Sequence, residues 1–303
     1  MLNRRILRIK AFKTIYSRTE NPAMTVKEGE SQLELSCEAA RDLYLFLMAL
    51  PGALTQEAAN RIEAARGKFN PTEEELHPNL KFANNRIAPL LSQDPDFSKL
   101  IQKKKLSWEQ YDVLVRHLYD TLRTRDYYAS YMASEDSSLA ADAALWSDIY
   151  ASELEDNAEL EAILEDLGIW WNDDLAYALG WCCRSMEALG KGARWELPPL
   201  YMSDLSDKAQ SDKAFITKLL RTAFAHYDEY VNSIAAITPK WDRSRICSTD
   251  LALIVAGLAE NAAFPEQGTG IIINEYVEIS KYYSTPESRA FVNGILDRLI
   301  NKH

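Results

Sequence analysis

Turn-forming residues are scarce in this 303-residue sequence: 11 glycines and 11 prolines together make up about 7%, against ~12% in an average chain. Every strand-to-strand connection needs turn chemistry, so this scarcity argues against a sheet-rich fold and for long helices. Strand-like alternation and a repeat of fixed period are also missing. The four cysteines, Cys37, Cys182, Cys183 and Cys247, are scattered, with no C-x-x-C spacing, and the four histidines never fall three or four apart. A disulfide framework, a zinc site and a redox motif are thereby excluded. The longest stretch without a charged side chain, residues 43–56, contains Pro51 and Gly52 and is shorter than the ~20 residues a membrane helix requires. Arg8, Lys10 and Lys13 interrupt any apolar run that a leader peptide would place after Arg4 and Arg5, so the cytoplasm is the default location.

Catalytic motifs are equally lacking. The G-x-G fragments at 190–192 and 268–270 have no third glycine and no preceding strand, and there is no P-loop, G-x-S-x-G or H-E-x-x-H. Asp173 and Asp174 are neighbours that do not face one another on a helix, and they read as caps at a helix start rather than metal ligands. The chain reads as a non-enzyme with no cofactor.

Apolar residues make up 47% and charged residues 26%, the composition of a globular chain, and the length suits about two domains of ~150 residues. A net charge of −11 speaks against unspecific coating of nucleic acid, but the charge is unevenly placed. Residues 1–18 carry Arg4, Arg5, Arg8, Lys10, Lys13 and Arg18 and no acidic side chain, whereas 14 acidic and no basic residues lie between Arg125 and Arg184. The acidic stretch, with Glu155 and Glu159 and then Glu161 and Glu165 each one turn apart, repels RNA and suits a basic partner, or simply keeps a helical surface soluble. Asn3 is placed to cap a first helix with an apolar stripe at Leu2, Ile6, Ile9, Phe12 and Tyr16. Guanidinium groups at Arg4, Arg5 and Arg8 with a tyrosine ring at Tyr16 are the ingredients of a single-stranded RNA site.

Further helices are predicted at 33–50, ended by Pro51–Gly52, and at 55–66, closed by Gly67. Short helices and loops follow over 67–107, then two longer helices at 108–132 and 139–167, the second closed by Gly168. Trp170 and Trp171 read as packing residues ahead of a helix from Asn172 to Leu189. A linker is expected at 190–212, and helices at about 212–236, 248–262, 271–283 and 286–300.

Two blocks near the C-terminus, INEYVEISK at 273–281 and FVNGILD at 291–297, resemble in order and separation the signature of the NusB family of transcription antitermination factors. Arg4-Arg5, Arg8, Ala11 and Ile15-Tyr16-Ser17 are similar to that family's arginine-rich opening helix, and Trp241, Arg245, Asp250 and Glu260 fall on its W…R…D…E frame. The chain departs from the pattern at Leu251 and Val255, where arginine is usual, and at Gly268 and Gly270, where the family has proline and lysine.

The resemblance implies an all-α fold, a NusB-like pair of helical bundles with an extra helical insert. Its division would be 1–66 (part of the N-terminal bundle), 67–211 (acidic insert and linker) and 212–303 (C-terminal bundle). It also implies binding of boxA-type RNA together with ribosomal protein NusE, in an antitermination complex with RNA polymerase that promotes transcription of ribosomal RNA operons. RNA contacts carry over to Arg4, Arg5, Arg8, Tyr16 and Phe291, and partner contacts to Asp250 and Glu287. The alternative is a divergent relative or helical scaffold that binds protein partners and holds RNA weakly. Thr285-Pro286 and Glu287 suit a helix start. Gly294 suggests close approach of another backbone, and Asn274 and Asn293 a hydrogen-bonded bridge between the last two helices.

Overall fold

A computed structural model describes residues 1–201, 211–238 and 246–301. Trp241 and Arg245 lie outside the described residues, as does most of the second half of the expected linker. Among the described residues the protein is all-α, with a single isolated β-bridge between Leu2 and Tyr201.

The chain opens with α1 (Arg4–Glu20) and α2 (Val26–Met48). It then forms α3 (Leu50–Arg66), α4 (Glu73–Leu76), α5 (Ile87–Gln93), α6 (Pro95–Lys104) and α7 (Asp112–Leu122). Next come α8 (Asp126–Ala133), α9 (Leu139–Ser152), α10 (Ala158–Leu167) and α11 (Leu175–Gly190). The last stretch holds α12 (Asp212–Ala225), α13 (Tyr227–Ile237), α14 (Ser248–Ala263), α15 (Thr269–Tyr283) and α16 (Pro286–Ile300).

Two compact units result: Met1 with Ala39–Pro198, and Leu2–Glu38 with Pro199–His303. The divisions between these units fall inside α2, between Glu38 and Ala39, and at Pro198–Pro199, within the stretch 190–212.

The unit containing Ala39–Pro198 is built around aromatic rings whose polar atoms are all satisfied, as burial requires. Trp108 stacks on Phe46 with centroids 4.2 Å apart and donates its indole N–H to the Phe46 carbonyl at 2.7 Å. Trp146 donates to Asn85 at 2.9 Å and Tyr150 to the Leu47 carbonyl at 2.9 Å. Trp171 joins this core and Trp170 packs against it.

Several helix boundaries differ from the sequence prediction: α2 begins at Val26 rather than at 33, and the segment 212–236 divides at His226 into α12 and α13. Pro51 lies in the first turn of α3 instead of ending α2, because a proline there gives up an N–H that has no helical partner. The segment 108–132 divides between α7 and α8, and 139–167 divides between α9 and α10. Both breaks meet at Glu153, which is buried and accepts from Arg125 Nε at 2.8 Å, Arg125 Nη2 at 2.9 Å and Tyr127 at 2.9 Å. Asn157 then caps α10 by accepting from the Leu160 amide.

In the second unit α14 is the central helix. It packs against α1, α12, α13, α15 and α16, and Ala252 to Glu260 are buried without interruption, the mark of a helix surrounded on all sides. Gly257 is where this helix needs a missing side chain, since a Cβ there would stand 2.8 Å from Leu296 Cδ2 and 3.3 Å from Tyr276 Cδ2. Gly294 has no such role, since a Cβ at that position meets nothing within 4 Å. Among the described residues no helix is long and apolar enough to cross a membrane, and no group of side chains is arranged to hold a metal ion.

Candidate nucleic-acid interface

The basic end of α1 is set by a local signal: Asn3 accepts a hydrogen bond from the Ile6 amide at 3.0 Å, so the helix begins at Arg4. Packing of α1 against α12 and α14 then divides its cations. Arg4 and Arg5 are exposed, with side chains 44% and 51% accessible. Arg8 and Lys10 are buried. Lys10 donates to the Ser36 carbonyl at 2.8 Å, and Lys13 lies over the Tyr283 ring. A row of cations in the sequence is therefore a solvent-facing pair backed by internal charges.

The internal charge at Arg8 has a full complement of partners. Its Nη2 and Nε reach Glu260 at 2.6 and 2.9 Å, and its Nη1 reaches Glu275 at 3.3 Å. Tyr276 donates its hydroxyl to Glu260 at 2.8 Å. Burial disfavours the Arg8 charge, but the hydrogen bonds and negative charge of Glu260, with lesser help from Tyr276 and Glu275, hold its pKa above the ordinary value. Burial and then the Glu260 charge push the Tyr276 hydroxyl well up, so it remains a donor. Arg8 was expected on a phosphate; it stands instead inside the unit, holding α1 to α14 and α15.

Around the exposed pair lies an arrangement that the sequence did not indicate. The Arg4 guanidinium sits 4.9 Å from the centroid of Phe215 on α12, Phe215 lies 5.0 Å from Phe264, and Lys218 is over Phe264 at 4.8 Å. Arg4, Phe215, Phe264 and Lys218 thus form a run with a cation at each end and two rings between, of which Phe215 is buried and Phe264 half-buried, while Lys218 is exposed. Phe215 and Lys218 lie three apart on α12, but Arg4 and Phe264 are far from them in the sequence, and no local pattern links all four.

Tyr16 is exposed at 38%, twelve residues and about 18 Å along α1 from Arg4. Phe291 is half-buried on α16. Glu287 is exposed in the first turn of α16, which Thr285 caps and Pro286 opens as expected. Asp250, by contrast, is buried and accepts from Ser284 at 2.5 Å and Ser288 at 2.7 Å, tying α14 to the start of α16. This leaves little of Asp250 for a partner to touch. Asn274 and Asn293 are both exposed, and no hydrogen bond joins them among the described residues. The expected bridge is not formed, and both side chains stand in solvent.

The model of the NusB family matches residues 187–301. The transcription antitermination protein NusB of Finegoldia magna is 32% identical over 93 residues, 31% of this chain and 68% of that protein. That of Methylacidiphilum infernorum is 31% identical over 112 residues, 37% of this chain and 78% of that protein. This chain belongs to the NusB family. The NusB match takes in α12 to α16, and so Phe215, Lys218, Glu260, Phe264 and Glu275, while most of Ala39–Pro198 lies outside it. No solved structure matches the chain.

Proposed function

We propose that this NusB-family chain is a transcription antitermination factor that binds boxA-type RNA together with ribosomal protein NusE. In this reading it acts within an antitermination complex on RNA polymerase and promotes processive transcription of ribosomal RNA operons. The observation that carries the RNA part is the exposed pair Arg4 and Arg5 near the half-buried ring of Phe264 and the exposed cation of Lys218, with the buried Phe215 ring supporting Arg4 from below. Guanidinium groups take phosphates and an accessible ring such as Phe264 takes an unstacked base, which suits single-stranded RNA. Tyr16 and Phe291 are the further stacking candidates, and Arg8 serves from inside by fixing α1. Glu287 is the candidate contact for a basic ribosomal protein, with Asp250 holding the helix that presents it.

The test is a salt titration of boxA-type RNA binding by the wild-type chain and the double variant Arg4→Ala/Arg5→Ala. Loss of two phosphate contacts lowers the slope of log affinity against log salt by up to about 1.4 on a single strand, with affinity falling and helix content unchanged. An unchanged affinity and slope removes α1 from the RNA site. Recovery of NusE with the tagged chain tests the protein half of the reading.

A further inference from the structure

Both exposed arginines of α1 face a carboxylate of the chain itself, and neither carboxylate depends on its arginine. Glu275 accepts from Arg5 through both oxygens, at 3.1 and 3.2 Å, and also takes Arg8 Nη1 at 3.3 Å. Asp212 takes Arg4 Nε at 3.4 Å from the first turn of α12, the positive end of that helix. When Arg5 swings away, Glu275 keeps Arg8; when Arg4 swings away, Asp212 keeps the helix end. Breaking a buried pair is ordinarily costly because it strands a charge. Neither release strands one here.

We infer that Glu275, seconded by Asp212, is an internal competitor for phosphate at the basic end of α1. The inference rests on the RNA reading above. The Glu275 carboxylate fills the fork of Arg5 until a phosphate of single-stranded RNA takes the same two-pronged position. The exchange swaps one anion for another on one guanidinium, and Arg8 compensates the displaced carboxylate. As a result α1 by itself holds phosphate weakly, and tight binding must draw on base contacts or on a protein partner.

The experiment is fluorescence anisotropy on the full chain with a boxA-type 12-mer and an oligouridylate of equal length, over a series of salt concentrations. Wild type, Glu275→Gln, Arg5→Ala and the double variant are compared, with circular dichroism as the check on folding. Glu275→Gln is expected to tighten both RNAs by about threefold, the scale of one exposed ion pair. The gain should vanish in the Arg5→Ala background. No tightening in a folded Glu275→Gln chain overturns the competitor, and so does an equal gain without Arg5, which reports a general field effect. Should Glu275→Gln not fold, Asp212→Asn replaces it with Arg4→Ala as background, under the same criteria. RNA binding that weakens in Arg5→Ala but ignores Glu275→Gln overturns the competitor alone, whereas a chain that binds neither RNA with or without Glu275 overturns the RNA reading with it.

Discussion

Arg8 on α1 and Glu260 on α14 form a buried ion pair, closest at 2.6 Å, with side chains 7% and 0% accessible. The two residues are 252 positions apart in the sequence, and the pair adds a charged link to the extensive apolar packing of the first helix on the centre of its unit. Removing Glu260 leaves the buried Arg8 charge with only its 3.3 Å contact to Glu275. Glu260→Gln is therefore expected to lower stability by roughly 3 kcal/mol. Replacing Arg8 and Glu260 together by methionine should cost less than either single change to a neutral polar residue. Urea unfolding of the three variants measures both differences.

Two glycines on neighbouring helices predict opposite outcomes. Gly257→Ala puts a methyl group 2.8 Å from Leu296 Cδ2 on a helix buried all round, and overpacking of this kind costs about 1–3 kcal/mol. Gly294→Ala fills open space on an exposed helical face, where alanine is favoured by roughly 0.5–1 kcal/mol. Thermal unfolding should move down for the first and up for the second.

Asp250 and Glu287 separate a structural carboxylate from a surface one. Asp250→Ala removes the buried carboxylate that accepts from the Ser284 and Ser288 hydroxyls and is expected to cost about 1–3 kcal/mol. Glu287→Gln removes only a charge at the first turn of α16 and stays within about 1 kcal/mol of wild type. A change in binding to a basic ribosomal protein, measured by calorimetry, should accompany Glu287→Gln and not depend on lost stability.

Asp94 provides a pH test. It caps α6 by accepting from the amides of Asp96 and Phe97, and it accepts from Arg194 Nε at 2.9 Å. The Arg194 hydrogen bond, then the Phe97 amide, hold its carboxyl below the usual aspartate value. With the folded pKa depressed, the unfolded chain takes up the proton first. The contribution is therefore complete above the unfolded value near pH 4 and is lost as pH falls through the lower folded value. Asp94→Ala is expected to cost about 1 kcal/mol at neutral pH. The gap to wild type in urea unfolding should close on acidification below about pH 4.

The acidic stretch yields a fifth expectation. Glu155, Glu159, Glu161 and Glu165 are all exposed, and Glu159 meets His117 at 2.9 Å. Changing the four to glutamine should leave the unfolding transition within about 1 kcal/mol of wild type. Removing four negative charges should raise retention of oligouridylate on a filter at low salt. Unchanged retention would mark the stretch as a solubilising surface only.

Local signals in the chain are enough to specify its helices and many of their ends. Asn3 and Thr285 cap where their short polar side chains reach a free amide, Gly67 and Gly168 stand at the ends of α3 and α10, and Pro286 opens α16. Scarce turn residues indicate the all-α class, and the blocks at 273–281 and 291–297 indicate the family, because each of these depends on residues close together in the chain. What depends on distant residues was decided by packing alone. Arg4, Arg5 and Arg8 look alike in the sequence, yet only the last faces Glu260 and is buried. Nothing local distinguishes Gly257 from Gly294 until Leu296 and Tyr276 arrive beside one of them. The break between α9 and α10 is fixed by an arginine 28 residues upstream of Glu153. The row of Arg4, Phe215, Phe264 and Lys218 exists only once α1, α12 and the end of α14 come together. A side chain's exposure and its charge partner are set by what the rest of the chain brings to it, and that is a property of the packed molecule.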